Sequence, residues 1–339
     1  MMIVRPVQTS DLPDLLNLAD RAQVGLTTLP SDRDRLERKV VDSVAAFDAE
    51  RKEAGNDAYL FVLQDTRTGA VVGTSSIIAA VGLSEAFYSY KLGTTVHASR
   101  ELNVYNKVST LYLTNDCTGC TELCTLFLHP GCRKDYNGKL LSKSRFLFMA
   151  LFPHRFSSRV IAEMRGFCDE HGHSPFWEGL GRHFFSMDFS DADFLSGIGN
   201  KSFIAELMPR HPVYVNLLDE QARNAIGKVH SGTVPALKML EKEGFNFQGY
   251  VDIFDAGPTL EAHFQTIRTI HNCRSLSLVH GKESQKGEPH LVSNTRRQGF
   301  RCCVTDLPKI RGKEIKLKLP VAESLNVTSG DKVCAAPLT

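Results

Sequence analysis

The chain has 339 residues with 40 Lys and Arg against 38 Asp and Glu, a net charge of +2, which leaves no general electrostatic pull toward nucleic acid or an anionic membrane. Its nine cysteines are an odd number in a sequence with no apolar secretory leader and no run of about twenty apolar residues, so it reads as a cytoplasmic protein without structural disulfides or a membrane span. Hydrophobic residues at 42% can fill a complete core, and no internal repeat or low-complexity tract interrupts them.

The opening MIVRPVQTSDLPDLLNLADRA predicts a short apolar strand and then a helix with Ser10 as N-cap, Pro13 in its first turn and Leu12, Leu15, Leu16 and Ala19 on one face. A second helix is expected from Asp32 to Ala54, with Leu36, Val40, Val44 and Phe47 inward and the charges outward. Tyr59 to Leu63 and Ala70 to Ile77, separated by a turn at Thr66 to Gly69, read as a hairpin.

The segment from Glu122 to Phe152 carries the most chemistry. Glu122, Cys124, Leu126 and Leu128 fall on one face of a period-two strand, and Leu123, Thr125 and Phe127 on the other. Pro130 and Gly131 end the strand. From Lys139 on, Leu140, Leu141, Leu147, Phe148 and Leu151 mark a helix face that Pro153 terminates. The turn between them, Arg133 to Lys139, leaves the first helical N–H groups unpaired, which favours an anion. Gly138 admits a phosphate close to the backbone, and Arg133 and Lys139 add charge. An ordinary strand-to-helix loop with surface lysines is the alternative.

Cys117-x-x-Cys120 with Cys124 and Cys132 has the look of a zinc cluster. Cys124 lies on the predicted strand and no second Cys-x-x-Cys follows, so no metal is expected.

The opening IVRPVQTSDLPDLLNLA and the unit LCTLFLHPGCRKDYNGKLL resemble the GNAT superfamily of acyl-CoA N-acyltransferases, with a longer Arg133-to-Gly138 spacing and Lys139 where a small residue is common. Further blocks, GLTTLPSD, VHASRELNVYN, AEMRG, SPFWEGLGRHFFSMDFSDADFL, FIAELMPRHPVY and ALKMLEKEGF, resemble the arginine N-succinyltransferase family from the N-terminus to about residue 275. The resemblance implies an α/β (α+β) GNAT fold with a central mixed sheet over residues 1–275, enlarged by an extra segment at 152–223. RVIAEMRGFCDEHGHSPFWEGLGRHFF and KVHSGTVPALKMLEKEGF both look like the strand-helix-glycine ending of such a core. His280 to Glu288 reads as a linker, and residues 289–339, with FRCCVTDL, EIKLKLP and SGDKVCAAPL as short strands, as a small β-barrel-like module.

The family implies transfer of succinyl from succinyl-CoA, a co-substrate and not a permanently bound cofactor, to the α-amino group of L-arginine, the first step of arginine catabolism to glutamate and succinate. By position His230 matches the family's catalytic histidine and Leu126 its succinyl-CoA contact, acting through its backbone. Leu128, Arg133, Lys134, Asn137, Gly138 and Lys139 complete the expected CoA site, and Glu122 could act as base through water. Glu163, Arg165, Glu178, Arg182 and the GLTTLP loop are candidates for the charged ends of the substrates. Ornithine or a related amino acid is the alternative acceptor. A non-catalytic partner subunit is the alternative role, and a homo- or hetero-oligomer with a related subunit is compatible with either.

Overall fold

The β-branched and aromatic runs become the strands of one mixed sheet in the computed structural model of the chain, which describes residues 1–22, 28–169, 171–197, 202–279 and 287–338. They are β1 (Met2–Pro6), β2 (Ala58–Asp65), β3 (Val71–Ile78), β4 (Ser89–Ser99), β5 (Val104–Thr114), β6 (Thr121–Leu128), β7 (Arg159–Glu163), β8 (Val213–Tyr214), β9 (Asn246–Val251), β10 (Pro258–His263), β11 (Arg274–Leu278), β12 (Glu288–Asn294), β13 (Cys302–Leu307), β14 (Glu314–Ile315) and β15 (Lys332–Pro337). Their order across the sheet is β14-β11-β15-β12-β13-β1-β2-β3-β6-β7-β10-β9-β4-β5-β8. Neighbours are antiparallel except β6 with β7 and β11 with β14.

Three helices set the frame: α1 (Leu12–Arg21), α2 (Arg33–Asp48) and α3 (Asn137–Leu151). Asp11, not Ser10, organises the start of α1. Its carboxylate accepts from the Gln8 amide at 2.8 Å and holds the Arg5 guanidinium through two bonds of 2.7 and 2.8 Å, so a bidentate pair replaces the expected serine cap. The Asp32 carboxylate caps α2 by accepting from Arg35 N at 2.9 Å. That helix stops at Asp48, short of the expected Ala54, because the buried Arg155 guanidinium takes the carbonyls of Ala46 and Ala49.

Nearly every side of α3 is buried, from Leu140 through Met149, because the C-terminal strands cover what would otherwise be its outer face. Phe148 stacks edge-on with Phe47, Phe61 and Phe300 at centroid distances of 5.4, 5.1 and 5.3 Å, and Lys143 donates to the Leu338 carbonyl at 2.9 Å. One face of the strands after residue 287 joins the core around α3, and the other, with Val292, Cys303, Val333 and Ala335, packs against Val321 and Leu325 in a cluster of its own. These strands run on from β1 through the pair Val4 and Cys302 and share its core. Residues 280–286 of the expected linker lie outside the described residues, and Glu288 already belongs to β12.

The two candidate core endings each supply one part. β7 comes from the first stretch, parallel to β6, so it is a core strand and not part of the extra portion. The helix comes from the second: α4 (Arg182–Phe185), α5 (Phe189–Gly197), α6 (Ser202–Leu207) and α7 (Glu220–Ala225) precede it, and α8 (Val234–Glu243) ends in a left-handed Gly244 before β9. Among the intervening elements, Trp177, Phe176, Phe185 and Phe189 pack with Tyr90 and Leu111 of the β4–β5 hairpin.

Candidate active site

The expected face assignment of β6 holds only as far as Cys124. Cys124 pairs with Ser76 and Phe127 with Thr74, so Thr125 and Leu126 on β6 stand opposite Ser75 alone on β3, and Thr125 takes a φ of 54°. This is a β-bulge, and one extra residue exchanges the faces beyond it. Glu122, Cys124 and Phe127 consequently face α1 and α2, whereas Leu123, Leu126 and Leu128 pack on the α3 side. No glycine marks the bulge in the sequence.

β6 and β7 also part company at this level. Their parallel pairing covers Thr121 with Val160 and Glu122 with Ile161, and β7 continues along β10 instead. Leu126 and Leu128 thus lie on an edge that β7 has left. Glu163 sits two residues beyond the partner of Glu122 and on the same face. Both line a cavity of ≈ 340 Å³ together with Thr28, Asn56, Ser84, Glu85, Tyr88, Asp252 and the apolar Ile78, Phe87 and Phe254. Four of these side chains are carboxylates and none is a cation. Such walls suit a compact positively charged guest.

His230 stands at the far end of β7. Its amide donates to the Arg165 carbonyl at 2.9 Å, and its Nδ1 accepts from Gly232 N at 3.1 Å. An acceptor at Nδ1 puts the neutral ring's proton on Nε2. Burial, and secondarily the Arg165 charge, hold the imidazole below its ordinary value. The Arg165 Nε is itself buried without a hydrogen-bond partner among the described residues. Next to it, Gly166 meets Asp255 so closely that an added Cβ would fall 2.3 Å from a backbone oxygen; its amide donates to the Asp255 carboxylate at 2.6 Å, fixing the loop that carries Arg165.

At the other end of β6 the helix start is open. Tyr136 provides no side-chain cap for α3, and the Gly138 and Lys139 N–H groups have no backbone acceptor among the described residues. Nothing lies within 4 Å of a Cβ built on Gly138. Arg133, Lys134 and Lys139 flank this end, with Arg133 Nε donating to the Leu128 carbonyl at 3.0 Å. Asn137 is turned inward, its amide donating to the Cys132 carbonyl at 3.0 Å, so it shapes the turn.

Of the expected site residues Glu122 and Glu163 line the cavity, and His230, Arg165, Glu178 and Arg182 do not. Glu178 and Arg182 pair with each other at 2.5 Å, and Arg182 also binds Asp188, the exposed i,i+4 arrangement their spacing would suggest. Residues 23–27 of the GLTTLP region lie outside the described residues; Thr28 lines the cavity. Among the described residues no group of three or more His, Cys, Asp or Glu side chains could hold a metal ion, and no helix is long and apolar enough to cross a membrane. Sequence reasoning missed Asn56, Ser84, Glu85, Tyr88 and Asp252, which no local motif connects. It also missed Lys39, which donates to Thr125 Oγ1 at 3.1 Å and to the Thr28 carbonyl.

Comparison with known proteins identifies the family. The profile of the arginine N-succinyltransferase beta subunit family matches residues 2–269, and that of the family's C-terminal domain matches residues 274–337. Arginine N-succinyltransferase subunit beta of Pseudomonas aeruginosa is 51% identical over 339 residues, covering 100% of this chain and 98% of its own. An Escherichia coli arginine N-succinyltransferase is 47% identical over 98% of this chain and 96% of its own. A solved structure, arginine/ornithine succinyltransferase subunit AI from P. aeruginosa, superposes with a TM-score of 0.92 at 39% identity, covering 100% of this chain and 99% of that one. The strand edge, the open helix start and the acid-lined cavity accordingly belong to a member of the arginine N-succinyltransferase beta subunit family.

Proposed function

We propose that the protein is an acyltransferase that moves the succinyl group of succinyl-CoA onto the α-amino nitrogen of L-arginine, giving N2-succinyl-L-arginine and CoA, the first step of arginine catabolism. The observation that carries the reading is the arrangement along β6: an open, basic-flanked helix start at one end, a strand edge left by β7 in the middle, and a cavity lined by four carboxylates at the other. From Glu122 to Leu128 the strand spans about 20 Å, room for the pantetheine arm between phosphates and thioester. The protein is assigned the GNAT layout over residues 1–275, with the extra segment within 152–223 following the core strand β7, a linker that ends before β12, and the strands from Glu288 on as a C-terminal unit.

The arginine guanidinium and ammonium enter the cavity of Glu85, Glu122, Glu163 and Asp252, while Arg165 takes a substrate carboxylate. Glu122 removes one ammonium proton through water and passes it to solvent, which frees the lone pair to attack the thioester. Amides on the edge at Leu126 serve the developing oxyanion. The second proton lost by the nitrogen passes to the departing sulfur by way of His230, whose Nε2–H hydrogen-bonds the sulfur as charge develops there, so the ring ends as neutral as it began. The phosphates lie on the Gly138 and Lys139 amides with Arg133 and Lys134 beside them, and no metal takes part. We place the protein in the cytoplasm as a homo- or hetero-oligomer, since its relatives are described as subunits.

Ornithine is retained as a second acceptor because the P. aeruginosa structure is described as an arginine/ornithine enzyme. The test compares arginine, ornithine and citrulline, the neutral isostere of arginine, with succinyl-CoA. The expected order places arginine first and citrulline last, with Glu163→Gln narrowing the gap between them. Equal use of citrulline would show that the acidic cavity does not select a cation.

A further inference from the structure

Lys39 breaks the rule that α2 turns its charges outward. It lies on the inward stripe, three residues after Leu36 and four before Ser43, both buried. Its ammonium is held by two neutral oxygens, Thr125 Oγ1 at 3.1 Å and the Thr28 carbonyl. Burial lowers its proton affinity, although the Cys124 thiol and the Glu122 carboxylate lie near enough to oppose that. The other enclosed lysine, Lys143, has a carboxylate of its own, Glu243 at 2.8 Å. Arg145 also rests on neutral oxygens, but it is sealed at 2% exposure and bonded to Ser76, Cys124 and Ser142. Lys39 keeps part of its side chain at the surface and has three N–H donors for two acceptors. Among the described residues no carboxylate touches the Lys39 ammonium, whose desolvation is costly, and an anionic ligand in contact with it offsets that cost.

Its place indicates which anion. Thr125 is the bulge residue, immediately before Leu126 on the edge that β7 has left, between the basic turn and the cavity. An acyl chain whose thioester lies at Leu126 reaches Lys39 with its far end. In a succinyl group the carboxylate carbon is three bonds of about 1.5 Å from the thioester carbon, comparable to the ~3.8 Å between successive Cα atoms.

We infer that Lys39 binds the distal carboxylate of a dicarboxylic acyl donor and so selects succinyl-CoA over neutral acyl-CoAs. The inference rests on the acyl-CoA reading proposed above.

The experiment measures kcat/KM for succinyl-CoA and butyryl-CoA, its uncharged counterpart, with arginine as acceptor, in wild type, Lys39→Met and Lys39→Arg. The ratio of succinyl to butyryl transfer should fall about 10- to 100-fold in Lys39→Met, the worth of one charge-assisted hydrogen bond. Lys39→Arg should retain more of it. The arginine-to-agmatine ratio, which reports the acceptor's carboxylate, should stay within about twofold. If both donors lose equally in a folded variant, or if the agmatine ratio collapses instead, the inference is wrong. A wild type with no preference for succinyl-CoA would defeat the donor reading itself, a result visible before any variant is made. Should Lys39→Met melt far below wild type, Lys39→Gln is judged by the same donor ratio.

Discussion

Replacing Gly138 by aspartate separates a phosphate site from an ordinary loop. A Cβ at this position meets nothing within 4 Å, and the residue sits in the first turn of α3 without positive φ, so the fold has no internal need for glycine there. Leaving glycine adds up to about 1 kcal/mol of helix propensity, and a first-turn carboxylate adds about 0.3–1 kcal/mol with the helix dipole. The melting temperature should therefore hold or rise slightly. Binding should move the opposite way. Two unit charges 4 Å apart repel by about 4 kcal/mol at an effective dielectric of 20, and screening at this exposed end reduces that to roughly 1–3 kcal/mol. The CoA dissociation constant should rise about 10- to 100-fold, more at low salt. Calorimetric titration with CoA at two ionic strengths, alongside thermal melts, reads both quantities. A variant that melts early yet binds CoA normally would show that the turn is structural and that the phosphates lie elsewhere.

His230→Gln should lower kcat by about 10² to 10⁴ with little change in substrate binding; retention of more than about a tenth of the wild-type value would remove His230 from proton transfer. Because burial, and secondarily the Arg165 charge, hold its imidazole below the ordinary value, the ring should protonate at lower pH than a free imidazole. In Arg165→Gln the NMR titration of His230 should shift upward, and an unmoved midpoint would contradict the assigned cause. Asp11→Ala strands the buried Arg5 guanidinium and should cost about 3–5 kcal/mol of stability, measured by denaturant unfolding; a loss below about 1 kcal/mol would mean the pair is not what fixes the start of α1. Activity should survive exhaustive chelation, with well under one zinc per chain by elemental analysis, and stoichiometric zinc lost together with activity would overturn the metal-free account.

The strand, basic turn and helix from Glu122 to Leu151 were legible because apolar periodicity and punctuation by Pro130 and Pro153 are local signals. The bulge was not, since Thr125 carries the positive φ that a glycine would have announced. Lys39 was readable in principle, as a lysine within the Leu36–Ser43 stripe, but charge alone suggested solvent. For Glu178 and Arg182 a surface ion pair was the reading that stood beside substrate binding, and their i,i+4 pairing with each other is that local outcome. The cavity was beyond local reading, because Asn56, Glu85, Glu122, Glu163 and Asp252 meet only through sheet order. The same holds for the C-terminal strands, which a single register pair, Val4 with Cys302, ties to the N-terminal strand.

The most direct test of the central claim is to incubate the purified chain, with no second subunit, with succinyl-CoA and L-arginine and to identify the product by fragmentation mass spectrometry. The account predicts stoichiometric release of CoA and a single product carrying succinyl on the α-nitrogen. No product either alone or after a related subunit is added, or succinyl on the guanidino group, would contradict it.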